Sequence, residues 1–310
     1  MSPLHRPRPS EPQAASGKDV PFSAGMAKNI ALVECPRDAM QGWPHIIPTE
    51  GKIAYLNALL KVGFNTLDFG SFVSARAIPQ MADTAEVLAG LEWADSTTKL
   101  LAIVANYRGA DEASAFDGVK VLGFPFSVSE TFQLRNTNKT IEGSFASVEE
   151  MLDLCEKRQK ELVVYLSMAF GNPYGEPWNE EIVFQWASAL AKLGVKTLSV
   201  ADTVGLAEPE QVFSIVDFLV QQLPHCSIGV HLHSTHHNRK TKIDAALDAG
   251  CLRFDGALKG IGGCPMAGNA LVGNMDTEWM VAHFSKKHLL SGLDEAALAQ
   301  ASALAAEIFV

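Results

Sequence analysis

Two histidines, His231 and His233, stand one residue apart in the stretch "SIGVHLHST". The run otherwise reads as a β-strand, whose side chains alternate between faces. The two imidazoles therefore share one face, while Ile228, Val230 and Leu232 share the other and suit packing against helices. Neutral imidazoles beside a carboxylate make a good divalent-cation site. Asp38, in "ECPRDAM", is the natural carboxylate; its competing reading is a helix or turn cap behind the strand-breaking Pro36. Taken alone, Arg37 beside it reads as a salt-bridge partner. The third piece is "KGIGGCPMAGNALVGN", residues 259–274. Gly260, Gly262 and Gly263 make a loop that can approach a ligand closely. Cys264 is then either the exposed thiol of that loop or a buried small residue. Asn274 is either a helix N-cap or a neutral oxygen ligand.

These residues need a frame. From residue 29 onward, short β-branched or aliphatic runs alternate with longer amphipathic segments. Eight strand candidates appear: "NIALVEC", "NTLDFGS", "KLLAIVAN", "VKVLGFPF", "ELVVYLSMAF", "VKTLSVAD", "SIGVHLHS" and "CLRFDGAL". Helix-like stretches separate them, among them "TEGKIAYLNALLKVG", "QMADTAEVLAGLEWA" and "NEEIVFQWASALAKLG", and several end in Gly. Eight βα units in about 250 residues predict an α/β fold, a (β/α)8 TIM barrel. A doubly wound open sheet is the rival, but it usually carries a Gly-rich turn after its first strand, and none is seen. Residues 28–310 are read as one catalytic domain, with extra C-terminal helices from about 287 and a disordered leader over 1–27. In such a barrel the chemistry sits where strands end and loops begin. "ECPRD", "DFGSF", "ADTVG" and "HLHST" all fall there.

Composition narrows the function classes. The 310 residues are 47% hydrophobic and 19% charged, enough for a sizeable core. A formal net charge of −10 argues against nucleic-acid binding, because nothing offsets phosphate repulsion. No apolar run approaches the ~20 residues that cross a bilayer. The five cysteines, Cys35, Cys155, Cys226, Cys251 and Cys264, form no CxxC pair, which favours a reducing, cytoplasmic setting.

The motifs "VECPRDAMQ", "SFVSARAIPQMADTAEVL", "SETFQLRNTNKTIEGSF", "VADTVGL", "VHLHST" and "GIGGCPMAGNALVGN" together resemble the 3-hydroxy-3-methylglutaryl-CoA lyase family, in order over about residues 28–286. The resemblance implies a divalent metal, Mg2+ or Mn2+, on Asp38, His231, His233 and Asn274. It places the family's catalytic arginine at Arg37, its loop cysteine at Cys264 and a strand-two carboxylate at Asp68, where the lyases usually have Glu. Asp202 matches the acidic residue after strand six. Asn269 competes with Asn274 as the neutral ligand. Ala39 and Met40 stand where Gly-Leu is usual, and Ser234 where Asp is common, followed by an unusual "HHNRK".

The implied reaction is retro-Claisen cleavage of an acyl-CoA substrate to acetyl-CoA and acetoacetate. Arg37 would stabilise the thioester enolate, His231 or Asp68 would take the C3 hydroxyl proton, and Cys264 would help protonate the enolate. The rivals are a lyase for a longer branched 3-hydroxyglutaryl-CoA, a Claisen-condensing synthase on a 2-oxo acid, and a barrel that binds without catalysis. Cys264-Pro265 favours a lyase over a synthase. A homodimer is the expected assembly, as the commonest one for soluble enzymes.

Overall fold

The computed structural model describes residues 29–263 and 272–310. Cys264, Asn269 and the 1–27 leader lie outside the described residues. The chain begins with β1 (Ala31–Glu34), α1 (Pro36–Gln41), α2 (Thr49–Val62), β2 (Thr66–Ser71), α3 (Thr84–Ala89), β3 (Lys99–Ile103), α4 (Tyr107–Ser114) and β4 (Val119–Ser127). It continues with α5 (Glu130–Thr137), α6 (Ile141–Arg158), β5 (Glu161–Ser167), α7 (Glu180–Leu193), β6 (Thr197–Ala201), α8 (Pro209–Gln222) and β7 (Ser227–His231). The last elements are α9 (Arg239–Asp248), β8 (Arg253–Gly256), α10 (Thr277–Lys286) and α11 (Glu295–Ile308).

Each strand pairs in parallel with its neighbour in sequence, and β1 pairs with β8 through Ala31↔Arg253 to Glu34↔Gly256. That last pairing closes the sheet. An open doubly wound sheet has no such contact, so the (β/α)8 reading holds. All eight strands coincide with the eight apolar runs. Alternation along them sorts two cores. Ile228, Val230 and Leu232 join the large shell between barrel and helices. Leu101, Val121, Val163 and Tyr165 form a smaller cluster inside the barrel.

The helices depart from expectation at the short ones. α1, α4 and α5 lie in stretches without a long amphipathic period, and six to eight residues are too few to show one. "QMADTAEVLAGLEWA" yields the end of a 3-10 turn over Pro79–Met81 and then the six-residue α3, which stops before Gly90. The longer helices fall where the pattern puts them. Gly63 and Gly194 close α2 and α7 in the left-handed conformation that only glycine adopts cheaply. Among the described residues, α11 is the helix beyond residue 287. Its Phe309 packs edge-on against Trp43 and Tyr55, tying the C-terminus to the segment after α1. No helix among the described residues is long and apolar enough to cross a membrane.

Candidate active site

β7 ends at His231, and His233 follows two residues later. Their rings lie 5.5 Å apart, centroid to centroid, on the inward face. His231 also meets the Tyr165 ring edge-on inside the barrel. His233 forms an isolated antiparallel bridge with Asn274, and the Ser234 amide donates to the Gly273 carbonyl at 2.9 Å. The chain that leaves the glycine loop is therefore laid directly against the end of β7. Ser234, where the resemblance leads one to expect Asp, turns to Met275: its hydroxyl meets the sulfur at 3.4 Å.

Asp38 lies on α1, not at the end of β1. Pro36 at the start of α1 lacks an N–H to donate, which suits a first helical turn and ends the strand. That turn carries Arg37 and Asp38 into the barrel mouth, both buried. One donor atom each from Asp38, His231 and His233 lie within 4.8 Å of one another. Asn274 stands beside Asp38: its amide nitrogen donates to Asp38 Oδ2 at 2.8 Å and to the Ile261 carbonyl at 2.9 Å. With the nitrogen so engaged, Oδ1 is the atom Asn274 has to offer a cation. Gly262 makes this possible. A Cβ there would stand 2.5 Å from the Asn274 amide nitrogen and 3.0 Å from Ala39 Cα.

Arg37 links the two carboxylates. Its Nη1 donates to Asp38 Oδ1 at 3.0 Å, while Nε and Nη2 hold Asp68 as a fork, at 3.0 and 2.6 Å from Oδ2. Arg37 is thus a salt-bridge partner of both carboxylates. Asp68 lies within β2, just before a register shift at Asp68/Gly70, and not at the strand's end.

Burial and charge set the protonation states. Burial pushes Asp38 up, but Arg37, His231 and His233 outweigh it and hold the carboxyl at about 2. Burial raises Asp68 to about 6, with Arg37 opposing. Burial and the neighbouring His231 lower His233 to about 4, so its ring is neutral with a lone pair to give. Burial works against a charged His231, yet the bond to Asp255 and the carboxylates of Asp255 and Asp38 raise it. An ionised carboxylate, a neutral imidazole, a second imidazole and an amide oxygen fit a divalent cation of the Mg2+ to Mn2+ kind.

The family model described as HMGL-like matches residues 30–305. The chain belongs to the HMGL-like family. Its similarity to HMGL-like relatives runs over most of each chain. It is 33% identical to hydroxymethylglutaryl-CoA lyase YngG of Bacillus subtilis over 255 residues, 82% of this chain and 84% of the relative. It is 30% identical to the 3-hydroxy-3-isohexenylglutaryl-CoA/hydroxy-methylglutaryl-CoA lyase of Pseudomonas aeruginosa over 277 residues, 89% of this chain and 91% of the relative. An HMG-CoA lyase from Acinetobacter baumannii, solved in complex with coenzyme A and 3-methylmalate, superposes with a TM-score of 0.84. It shares 31% identity and covers 92% of both chains.

Three buried groups of this HMGL-like barrel escaped the reading of the sequence. Asp255 on β8 meets His231 Nδ1 at 3.4 Å through Oδ2, and Arg253 Nη1 meets its Oδ1 at 2.8 Å. The signal was available: Arg253 and Asp255 alternate in "RFDG" as the histidines do in "HLH". Lys242 on α9 is 1% exposed and donates to Asp202 Oδ2 at 2.7 Å and to the His233 carbonyl at 2.8 Å. Asp202 thus anchors the backbone under His233 and stands in no cation-ligating group among the described residues. Glu34 accepts the Leu258 amide at 2.8 Å and the Thr277 hydroxyl at 2.6 Å, pinning the chain on both sides of the glycine loop.

Proposed function

We propose that this enzyme cleaves 3-hydroxy-3-methylglutaryl-CoA to acetyl-CoA and acetoacetate by a metal-dependent retro-Claisen reaction. The observation that carries the reading is Arg37 bridging Asp38 and Asp68 in the mouth of an HMGL-like barrel, with Asp38 set against both histidines. Asp38, His231, His233 and Asn274 would hold the Mg2+ or Mn2+. An ion held by these residues would supply Lewis acidity, lowering the pKa of the substrate's C3 hydroxyl.

The residues of the chain supply the rest. Asp68, raised to about 6 by burial, is the base for the hydroxyl proton. His231 is the poorer base, because Nδ1 faces Asp255 and its other nitrogen serves the cation set. As the C2–C3 bond breaks, negative charge moves onto the thioester oxygen, and the Arg37 guanidinium stabilises it there. Cys264 delivers the proton that turns the enolate into acetyl-CoA. Cys264-Pro265 sets this reading apart from a condensing synthase.

The acyl-CoA substrate, the homodimer and the cytoplasmic setting belong to the same proposal. Cys35, Cys155, Cys226 and Cys251 are free thiols, which supports a reducing compartment. The test is a panel of 3-hydroxyglutaryl-CoA thioesters, methyl and longer branched, assayed for acetyl-CoA with and without EDTA. Cleavage of the methyl substrate that EDTA abolishes is the expected result. Condensation of acetyl-CoA with a 2-oxo acid, with no cleavage of any thioester, would overturn it.

A further inference from the structure

His231 belongs to a second group of donors. Sharing His231 with the Asp38–His231–His233 set, one donor atom each from Cys35, His231 and Asp255 also lie within 4.8 Å of one another. Cys35 precedes α1 and is 1% exposed; its thiol reaches the Val33 carbonyl only at 3.9 Å. The separation of His231 Nδ1 from Asp255 Oδ2, 3.4 Å, is long for a hydrogen bond. It suits two ligands of one tetrahedral ion. Bonds of about 2.0–2.1 Å to nitrogen and oxygen put such ligands roughly 3.4 Å apart.

Burial raises the Cys35 thiol well above its ordinary range, and the neighbouring carboxylates of Asp255, Asp68 and Asp38 raise it further, so a thiolate here needs a cation beside it. Arg253 opposes with one positive charge, but it holds Asp255 by Oδ1 at 2.8 Å and leaves Oδ2 toward His231. In that position it orients the carboxylate as an outer partner of a metal ligand does. Thiolate, imidazole and carboxylate together select a thiophilic, tetrahedral ion of the zinc class over Mg2+.

We propose that Cys35, His231 and Asp255 form a zinc-class site that competes with the activating metal for His231. The inference rests on the metal-site reading given above. A neutral imidazole has one N–H and one lone pair. With Nδ1 on Asp255 as donor, the Nε2 lone pair serves the Asp38–His233 set. A zinc ion on Nδ1 takes the other lone pair, the ring proton moves to Nε2, and the Cys35 thiol gives up its proton to solvent. The two sites therefore use opposite tautomers of one ring and exclude each other.

Co2+ serves as the visible stand-in for zinc, and Mn2+ for the activating metal. Co2+ titrated into the full-length protein is expected to give a thiolate-to-cobalt charge-transfer band. The band persists in Cys264→Ser and disappears in Cys35→Ser. Because zinc-class ions also outcompete Mn2+ at the Asp38 set itself, exclusion is read in the other direction: saturating Mn2+ is expected to weaken formation of the band about threefold or more in wild type and to leave it unchanged in His233→Ala, where the activating set is broken. The absence of the band in wild type, its loss in Cys264→Ser, or equal sensitivity to Mn2+ in His233→Ala would overturn the proposal. Wild-type protein that binds no Mn2+ at all would instead overturn the metal-site reading beneath it.

Discussion

Lys242 Nζ lies 2.7 Å from Asp202 Oδ2, with both side chains only 1% exposed, and it also holds the His233 carbonyl at 2.8 Å. A lysine on α9 and an aspartate after β6 thereby fix the backbone of a residue assigned to the metal. Breaking one side of a buried ion pair strands the other charge, at a cost of roughly 3–5 kcal/mol. Lys242→Met is expected to lose about that much in urea unfolding and to weaken Mn2+ binding as His233 drifts. Lys242→Met combined with Asp202→Leu should recover stability while leaving Mn2+ binding weak. Equal Mn2+ affinity in the single variant and wild type would show that the pair does not position His233.

Arg37 is assigned to a charge that grows during the reaction. Arg37→Gln should lower kcat by about 10²–10³ with little change in Mn2+ affinity, because removing one stabiliser of a developing oxyanion typically costs that much. Cys264→Ala should also collapse turnover without loss of metal. Single-turnover assays with metal titrated separately check both. Near-normal rates in both variants would remove these residues from the mechanism.

Gly262 carries a steric prediction. At φ +110° a side chain is strained, and a Cβ would meet the Asn274 amide nitrogen at 2.5 Å. Gly262→Ala should destabilise the protein by about 1–3 kcal/mol and weaken Mn2+ binding by about tenfold as Asn274 is displaced. Asn274→Ala should weaken Mn2+ to a similar degree without the loss of stability. Thermal unfolding beside Mn2+ titration separates the two.

Glu34 makes stability depend on pH. Burial, against the two hydrogen bonds it accepts, raises its pKa from 4.5 to about 8. The folded protein therefore holds this proton more tightly than the unfolded chain does. The contribution is complete below pH 4.5 and is lost as pH rises through about 8. Glu34→Gln removes the ionisation and keeps an acceptor for the Leu258 amide. Plotted against pH, the Tm of wild type relative to Glu34→Gln should fall across that window. A constant difference would show that Glu34 is ionised throughout.

How far the sequence was legible depended on period and length. The barrel was legible because eight apolar runs alternate with long amphipathic helices such as α2, α7 and α8. The histidine pair was legible because two polar residues at a spacing of two contradict an otherwise buried strand. α1 was not, since six residues give no helical period, so Asp38 read as a strand-end residue. Arg253 and Asp255 carry the same alternating signal as the histidines, but in a four-residue strand, where an opposite-charge pair also reads as surface. Lys242 gave no signal. A lysine among "NRKTK" reads as solvated, and only the fold brings its ammonium to Asp202 and the His233 carbonyl.

The central claim is that Asp38, His231 and His233 hold a divalent ion without which the carbon–carbon bond does not break. The most direct measurement is acetyl-CoA release from 3-hydroxy-3-methylglutaryl-CoA by chelator-stripped protein, before and after Mn2+ or Mg2+ is restored, in wild type and His233→Ala. Stripped wild type should be inactive and recover with about one Mn2+ per chain, while His233→Ala should recover little at the same metal concentration. Full activity after stripping, or full recovery in His233→Ala, would contradict the account.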